Sequence, residues 1–234
     1  MKHFLLLCSG LVAACAAAGE RAKTVRYLRP AGQQFQTECT FTEKHAKTGS
    51  VIESVTERGK IRLTITSRYD DKHVLTFAEA VLRGPDETKT ATVKGTAGKV
   101  TIERAGKTPE EFEAPPGVIV TSAPDWTDTF LLCRRYDRKT AGKQTFAGLW
   151  IHPTEPCRRL SFAIERHGQA MIDHAGVQVT LDRFTIWLRN NNAYAAWTYA
   201  DGKMIKLVPL PFKASAANWL VLDGYEKSVS GLRP

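Results

Sequence analysis

The sequence predicts a mainly β protein: a large curved antiparallel sheet, an open half-barrel, with one helix packed across it. Three observations lead there. Apolar and polar residues alternate along most of the chain, as in KIRLTITSRY, where Ile61, Leu63 and Ile65 interleave with Arg62, Thr64 and Thr66. That is the period of a strand with one face on a core and one in water. Gly, Pro, Asp and Lys break these runs at short intervals, as in a meander. One stretch, SAPDWTDTFLLCRRYDRKTAG, departs from the pattern and carries helical spacing instead.

The chain begins with an address. Lys2 and His3 precede an apolar run, Phe4 to Val12, interrupted only by Ser9 and Gly10. This is the layout of a secretory signal, too short to span a bilayer as a mature helix, which needs about 20 apolar residues. Two processing sites compete. Ala16-Ala17-Ala18 before Gly19 suits ordinary signal cleavage, whereas Val12-Ala13-Ala14-Cys15 resembles the bacterial lipobox. The second is preferred. It makes residues 1–14 a signal peptide, Cys15 the lipidated residue, and residues 15–24 the lipid attachment and tether. Acyl chains at about 0.8 kcal/mol per buried methylene would then hold the protein on a membrane. Ala16 and Ala17 resemble the sorting context of outer-membrane lipoproteins, so the expected location is the periplasm or outer membrane.

Residues 25–234 are expected to form a single β-rich domain. Strand signals occur at Phe35 to Thr42, Ile61 to Thr66, His73 to Leu82, Ala91 to Val93, Lys99 to Glu103 and Gly117 to Val120. A helix is expected at about 122–140. Ser122 stands three residues before Asp125 in a capping-box-like start, with Pro124 in the first turn. Trp126, Phe130, Cys133 and Asp137 then follow at helical spacing, and Gly142 ends the run. Arg134, Arg135, Arg138 and Lys139 suit the negative end of the helix dipole better than they suit a binding patch.

Strands resume at Lys143 to His152, Arg158 to His167 and Val177 to Arg189. In the last of these the apolar phase slips from odd to even positions, which predicts a bulge or bend near Asp182 and Arg183. In AWTYADGKMIKL, Asp201-Gly202 favours a two-residue turn that sets Trp197 opposite Lys206 and Thr198 opposite Ile205, with the ammonium over the indole. The final strand is expected at Asn218 to Gly224.

Composition narrows the partners. The 234-residue chain has a formal net charge of +9, and cleavage before Cys15 removes only Lys2 from that total. A basic exported protein suits an anionic surface such as lipid headgroups or acidic glycans. Nucleic acid is not an expected partner, because Lys and Arg are scattered along strands and no nucleic-acid motif is present. Of the five cysteines, Cys8 is removed with the signal and Cys15 is the acylated residue. Among the other three, a Cys133–Cys157 disulfide closes the shortest loop and is preferred, which makes Cys39 a buried free thiol.

Candidate chemistry is sparse. HPTEPC offers His152, Glu155 and Cys157, types suited to zinc, but the spacing matches no recurrent metal pair. HGQAMIDH brings His167, Asp173 and His174 around an expected turn, where two imidazoles and a carboxylate could perform acid–base work. A polar hairpin tip explains the same residues. There is no G-x-S-x-G elbow, phosphate-cradling glycine loop or dinucleotide fingerprint. No catalytic residue, metal or cofactor is therefore assigned.

The stretches APPGVIVTSAPDWTDTFLLCRRYDR and YAAWTYADGKMIKLVPLPF resemble a group of exported bacterial proteins of unknown function, with a curved antiparallel sheet similar in shape to the Lol-type lipoprotein carriers. The resemblance covers roughly Gly117 to Leu222 and transfers no site residues. It implies a curved antiparallel sheet. Independently of it, aromatics pack β cores by default, yet an open curved sheet with a helix across its mouth also makes an apolar trough, for which Trp126, Phe130, Trp187 and Trp197 are the candidate ligand-binding residues. The expected function is a non-catalytic cell-envelope lipoprotein that binds a lipid, another apolar ligand or an envelope protein. The alternatives are an envelope hydrolase or metal-dependent enzyme using the His152/Glu155 or His167/Asp173/His174 segments, and a structural protein that augments another sheet through its edges.

Overall fold

The computed structural model describes residues 21–31, 34–96, 98–122, 125–188, 192–211 and 219–233. The signal sequence and Cys15 lie outside the described residues, as do Ala123 and Pro124 of the expected helix start, and Arg189 and Asn218 at the limits of expected strands. Among the described residues no helix is long and apolar enough to cross a membrane.

Alternation produces the strands it predicts, in two runs separated by the helix. The first run is β1 (Arg21–Ala31), β2 (Gln34–Ala46), β3 (Gly49–Arg58), β4 (Ile61–Asp70), β5 (Leu75–Arg83), β6 (Thr88–Thr96), β7 (Lys99–Arg104), β8 (Glu110–Glu113) and β9 (Ile119–Thr121). After α1 (Thr127–Arg135) come β10 (Lys143–Trp150), β11 (Arg158–His174), β12 (Val177–Trp187), β13 (Ala193–Thr198), β14 (Met204–Leu210) and β15 (Leu220–Leu222).

All of these strands join one curved sheet, ordered β8-β7-β6-β5-β4-β3-β2-β1-β15-β14-β13-β12-β11-β10-β9. Every pair is antiparallel except β9 with β10. The antiparallel pairing of β1 with β15 joins the two ends of the chain in mid-sheet, and the edges β8 and β9 are consecutive in sequence. The sheet curls without closing. Its short β8–β9 connection is tied back by Ala114 N–H to Gly98 O (2.8 Å) and Gly117 N–H to His73 O (2.9 Å).

Register defines the concave face, because directly paired residues share a face. One row runs Phe41, Ser54, Ile65, Ala80, Ala91 and is buried throughout. Another runs Phe184, Ala196, Leu207, Leu220. Small side chains in the first row leave room for α1 inside the curve. Phe130 of the helix stacks on Tyr27 (centroids 4.5 Å) and meets Phe41 edge-on (5.0 Å), while Tyr136 meets Phe184 edge-on (5.0 Å). Burial of this kind, at roughly 25 cal/mol per Å² of apolar surface, is the main cohesive term.

The structure revises several expectations. Residues 21–24, expected as tether, already belong to β1. The helix is shorter than 122–140, since Trp126 is its N-cap without a side-chain cap. Asp125, not Ser122, serves the entry, accepting the Thr127 N–H at 3.1 Å. The bulge expected near Asp182 and Arg183 sits on the partner strand, where the register shifts between Arg166 and Gly168. β11 runs unbroken to His174, so HGQAMIDH is strand and not a turn. The Asp201-Gly202 turn is a three-residue connection: Gly202 N–H bonds Tyr199 O (3.0 Å) and Tyr199 N–H bonds Lys203 O (2.9 Å). Trp197 faces Lys206 as expected, but the extra residue moves Thr198 opposite Met204 instead of Ile205. Gly202 has φ +79°, and a Cβ there would lie 2.6 Å from Cys133 O, so the helix end packs directly on this turn.

Candidate functional site

The concave face is packed, and its charges are paired. Arg134 pairs with Glu43 and lies over the Phe41 ring; Arg135 donates to Gly117 O and lies over Tyr69. Arg138 Nε reaches Asp182 Oδ2 at 2.8 Å, and Arg166 Nη2 reaches Asp182 Oδ1 at 2.6 Å. Burial alone would raise the Asp182 carboxyl, but the hydrogen bonds from Arg138, Arg166 and Gln169 outweigh it and hold the group below its ordinary value. Arg134, Arg135 and Arg138 of the basic cluster at the helix end thus fasten the helix to the wall.

At the other mouth of the curve, the register shift between β1 and β2 leaves Glu38 as an extra residue turned inward. It is fully buried between Arg29 (2.7 Å) and Arg58 (2.5 Å), and Trp126 Nε1 lies 3.5 Å from it. Asp125 is buried beside Ser54, and burial pushes its carboxyl up despite the hydrogen bonds it accepts. Burial, then the Asp125 and Glu38 carboxylates, push the Cys39 thiol up as well. A thiol held protonated is a poor nucleophile. This mouth is a charge-paired support for α1.

The candidate ligand residues separate. Phe130 and Trp197 are 3% and 1% exposed and belong to the core. Trp126 is half-buried at the mouth, edge-on to Tyr194 at 5.8 Å. Trp187 pairs with Ala163 in the register row opposite that of Ile186, so it faces outward, with Lys143 Nζ 4.3 Å from its ring. An apolar trough on the concave face is thus replaced by the helix itself. Phe130 takes the volume that a ligand chain would have needed.

The other candidates are also dispersed. Cys39, Cys133 and Cys157 are all buried free thiols, so the expected Cys133–Cys157 bridge is not formed. Cys133 sits on α1 against the 199–203 turn, whereas Cys157 lies beside His152 and Arg104 on another part of the wall. His152 Nδ1 is engaged by Thr154 Oγ1 (3.0 Å) and the Thr154 and Glu155 N–H groups (3.3 Å each), and burial lowers its pKa. The Glu155 carbonyl accepts from Arg104. His167 and His174 are separated along one strand; Asp173 caps the Gly176 N–H, and His174 stacks on Tyr225 at 3.9 Å.

The convex face presents a different environment. Residues 223–233 fold back over it, with Val229 fully buried and Leu232 packed on the core. Asp223 accepts from Arg26, and Ser228 Oγ lies 3.0 Å from His174 Nδ1. Between this segment and the sheet lies a cavity of about 470 Å³. Phe35 and Trp219 form an aromatic wall, edge-on at 5.6 Å, and Lys206 lies at its base. Glu226, Lys227, Ser230 and Arg233 line the remaining side.

Lys206 is 2% exposed, yet pairs with no carboxylate among the described residues. Its ammonium donates to Val229 O (2.8 Å) and Leu232 O (2.9 Å) and lies 5.1 Å from the Trp219 ring and 5.8 Å from the Trp197 ring. Burial, then the nearby Arg233 charge, lower its pKa to about 8. A larger groove of about 640 Å³ between Thr88 and Lys107 is walled by threonines, lysines and Arg104 without an aromatic ring. Aromatic walls around a few polar groups make the smaller cavity the better ligand site.

Sequence reasoning placed Lys206 over Trp197 but missed Phe35, Trp219 and the returning C-terminal segment as its surroundings. The available signal was Lys206 itself, a lone cation within the apolar run MIKLV.

No protein-family model matches the chain, and no curated protein matches it significantly. Among solved structures it is similar to a DUF1089 family protein from Pseudomonas aeruginosa, at 12% identity and a TM-score of 0.47, covering 75% of this chain and 92% of that one. It is also similar to a β-barrel-like protein of domain of unknown function DUF1849 from Brucella abortus, at 9% identity and a TM-score of 0.46, covering 87% and 94% of the two chains. Neither is described as a Lol-type carrier.

Proposed function

We propose that this chain is a non-catalytic envelope lipoprotein, attached to a membrane through acylated Cys15, that binds an apolar ligand in the convex-face cavity. The observation that carries the reading is the cavity between Phe35, Trp219 and the returning C-terminal segment, whose volume of about 470 Å³ suits a small ligand. The signal and lipobox pattern supplies the location. Of the candidate acid–base groups, His152 is engaged by the Thr154 hydroxyl and the Thr154 and Glu155 N–H groups, Asp173 caps the Gly176 N–H and His174 contacts Ser228, which favours binding over turnover.

Protein purified natively from envelopes, freed of detergent and extracted with organic solvent, is expected to release bound lipid. Intact mass is expected to show acyl addition at Cys15. An empty extract together with failure to displace a fluorescent fatty acid overturns the ligand reading, and an unmodified mass overturns the anchor. A second reading, sheet augmentation by an envelope protein, is favoured by the β11–β12 hairpin. Its residues Met171 and Val177 are 73% and 62% exposed, and the β12 residues before Asp182 have no β13 partner. Envelope crosslinking from Val177 tests it; capture of no protein there removes it.

A further inference from the structure

We infer that the ligand of the convex-face cavity is an anionic amphiphile, an aliphatic chain ending in a carboxylate or phosphate, whose head group takes the Lys206 ammonium donor that meets no acceptor among the described residues. The inference rests on the proposed binding role of this cavity and adds the charge and polarity of its occupant.

Three features converge on it. First, an ammonium carries three N–H donors. Two go to the carbonyls of Val229 and Leu232, and the third finds no acceptor among the described residues although the residue is 2% exposed. A buried donor without a partner is costly, and a charged one more so. Carbonyl dipoles and two indole faces support the cation but leave its charge uncompensated. An anion entering the cavity supplies both the acceptor and the countercharge.

Second, the lining has one sign in excess. Among the described lining residues, Lys206 and Lys227 stand beside one carboxylate, that of Glu226, and Arg233 adds a guanidinium at the same wall. Third, the remaining surface is aromatic. Phe35 is 39% exposed, and with Trp219 it offers a chain-binding wall next to the cationic base. A purely apolar ligand would leave the ammonium unpaired, and a simple inorganic anion would leave the aromatic wall uncovered.

The protonation state follows. With a pKa near 8, Lys206 is mostly charged at neutral pH and mostly neutral at pH 9. Among the described residues, the charged groups that line its cavity are Arg233, Lys227 and Glu226, all on the returning segment. A bound anion favours the ammonium and raises that pKa, so anion affinity declines as pH climbs through 8.

The test uses the processed full-length protein and isothermal titration with dodecanoate, dodecyl phosphate, dodecanol, dodecyltrimethylammonium and inorganic phosphate. Dodecanoate and dodecyl phosphate are expected to bind at least about tenfold more tightly than dodecanol at pH 7. The preference should shrink at pH 9 and vanish in Lys206→Met. The Lys227→Gln/Arg233→Gln double variant, altered only at the rim, should show a partial loss even if Lys206→Met fails to fold.

Equal binding of dodecanol and dodecanoate overturns the anion inference while leaving an apolar-ligand site standing. Dodecyltrimethylammonium binding as tightly as dodecanoate does the same. Phosphate binding as tightly as dodecyl phosphate overturns the amphiphile and the apolar reading together. Absence of binding by all five probes overturns both. Preference for dodecanoate over dodecyl phosphate, or the reverse, identifies whether a free fatty acid or a phosphate head group is the better source.

Discussion

The two faces of the sheet treat buried positive charge in opposite ways. Inside the curve, the side-chain cations meet carboxylates or backbone acceptors: Arg138 and Arg166 share Asp182, Arg29 and Arg58 share Glu38, and Arg134 takes Glu43. Outside, Lys206 is buried more deeply than any of these arginines and, among the described residues, meets carbonyls and indole rings but no carboxylate. Buried ions are normally retained only where paired. The concave face obeys that rule as a structural core does, whereas the convex face departs from it where a cavity opens, as a binding site does. Packing follows the same division: Phe130 fills the concave side between Tyr27 and Phe41, while Phe35 on the convex side remains 39% exposed.

The largest effect expected from this contrast is on the concave face. Phe130→Ala removes a ring that is 3% exposed and stacked on Tyr27, and should cost about 3–5 kcal/mol in urea unfolding. If the concave face were an open ligand trough, the loss would be a fraction of that, and ligand affinity would change instead.

Asp182→Ala comes next. It strips two guanidiniums of their shared partner and should cost about 2–3 kcal/mol, less than for a wholly buried pair because Arg138 and Arg166 keep contact with water. The carboxyl is held below its ordinary value in the fold, so its contribution is present above the unfolded pKa and disappears as pH falls through the folded one. The gap between wild type and Asp182→Ala in urea midpoint should therefore narrow from pH 7 toward strongly acidic pH. A gap independent of pH would show that Asp182 contributes by packing alone.

Lys206→Met, the matching change on the convex face, should cost less than about 1 kcal/mol at pH 7. Removing an uncompensated buried charge offsets the loss of two hydrogen bonds to carbonyls. The folded pKa of about 8 lies below the ordinary 10.5, so the unfolded chain holds the proton more tightly between those values. Wild-type stability should thus gain on the variant as pH rises from about 8 to 10.5. A loss at pH 7 as large as that of Asp182→Ala would erase the distinction between the faces.

Much of the sheet was legible because its rule is local, and the site was not because its parts are remote. β4 alternates cleanly, whereas β3 gave no signal: its inward positions are Ile52, Ser54 and Thr56, so burial there does not follow hydrophobicity. β8, with the sequence EEFE, is a charged edge and reads as polar chain. Residues 167–174 look like a loop because that part of β11 belongs to a hairpin with exposed positions on both faces. Trp197 over Lys206 is expected from the Asp201-Gly202 turn, yet that turn holds three residues and the register shift between Trp197 and Thr198 sets Thr198 opposite Met204. Glu38 turns inward only because β2 must accommodate β1 with one residue extra. The convex cavity joins Phe35 to Trp219 and Arg233, and only the pairing of β1 with β15 brings those ends of the chain together.

The smallest expected effect separates the two kinds of exterior tryptophan. Trp187 lies on the convex side with Lys143 Nζ 4.3 Å from its ring, an arrangement that resembles Lys206 with Trp219 but lies on the solvated part of the sheet. Lys143 is exposed, so water and salt weaken its attraction to the indole. Trp187→Leu should shift stability by about 0.5 kcal/mol and leave dodecanoate binding unchanged. Trp219→Leu should weaken that binding, because its ring forms the cavity wall beside a desolvated ammonium. Were Trp187→Leu to reduce binding as much as Trp219→Leu, the cation–aromatic pair itself would be the recognition element. The uncompensated charge and returning segment around Lys206 would then lose their claim to a distinct role.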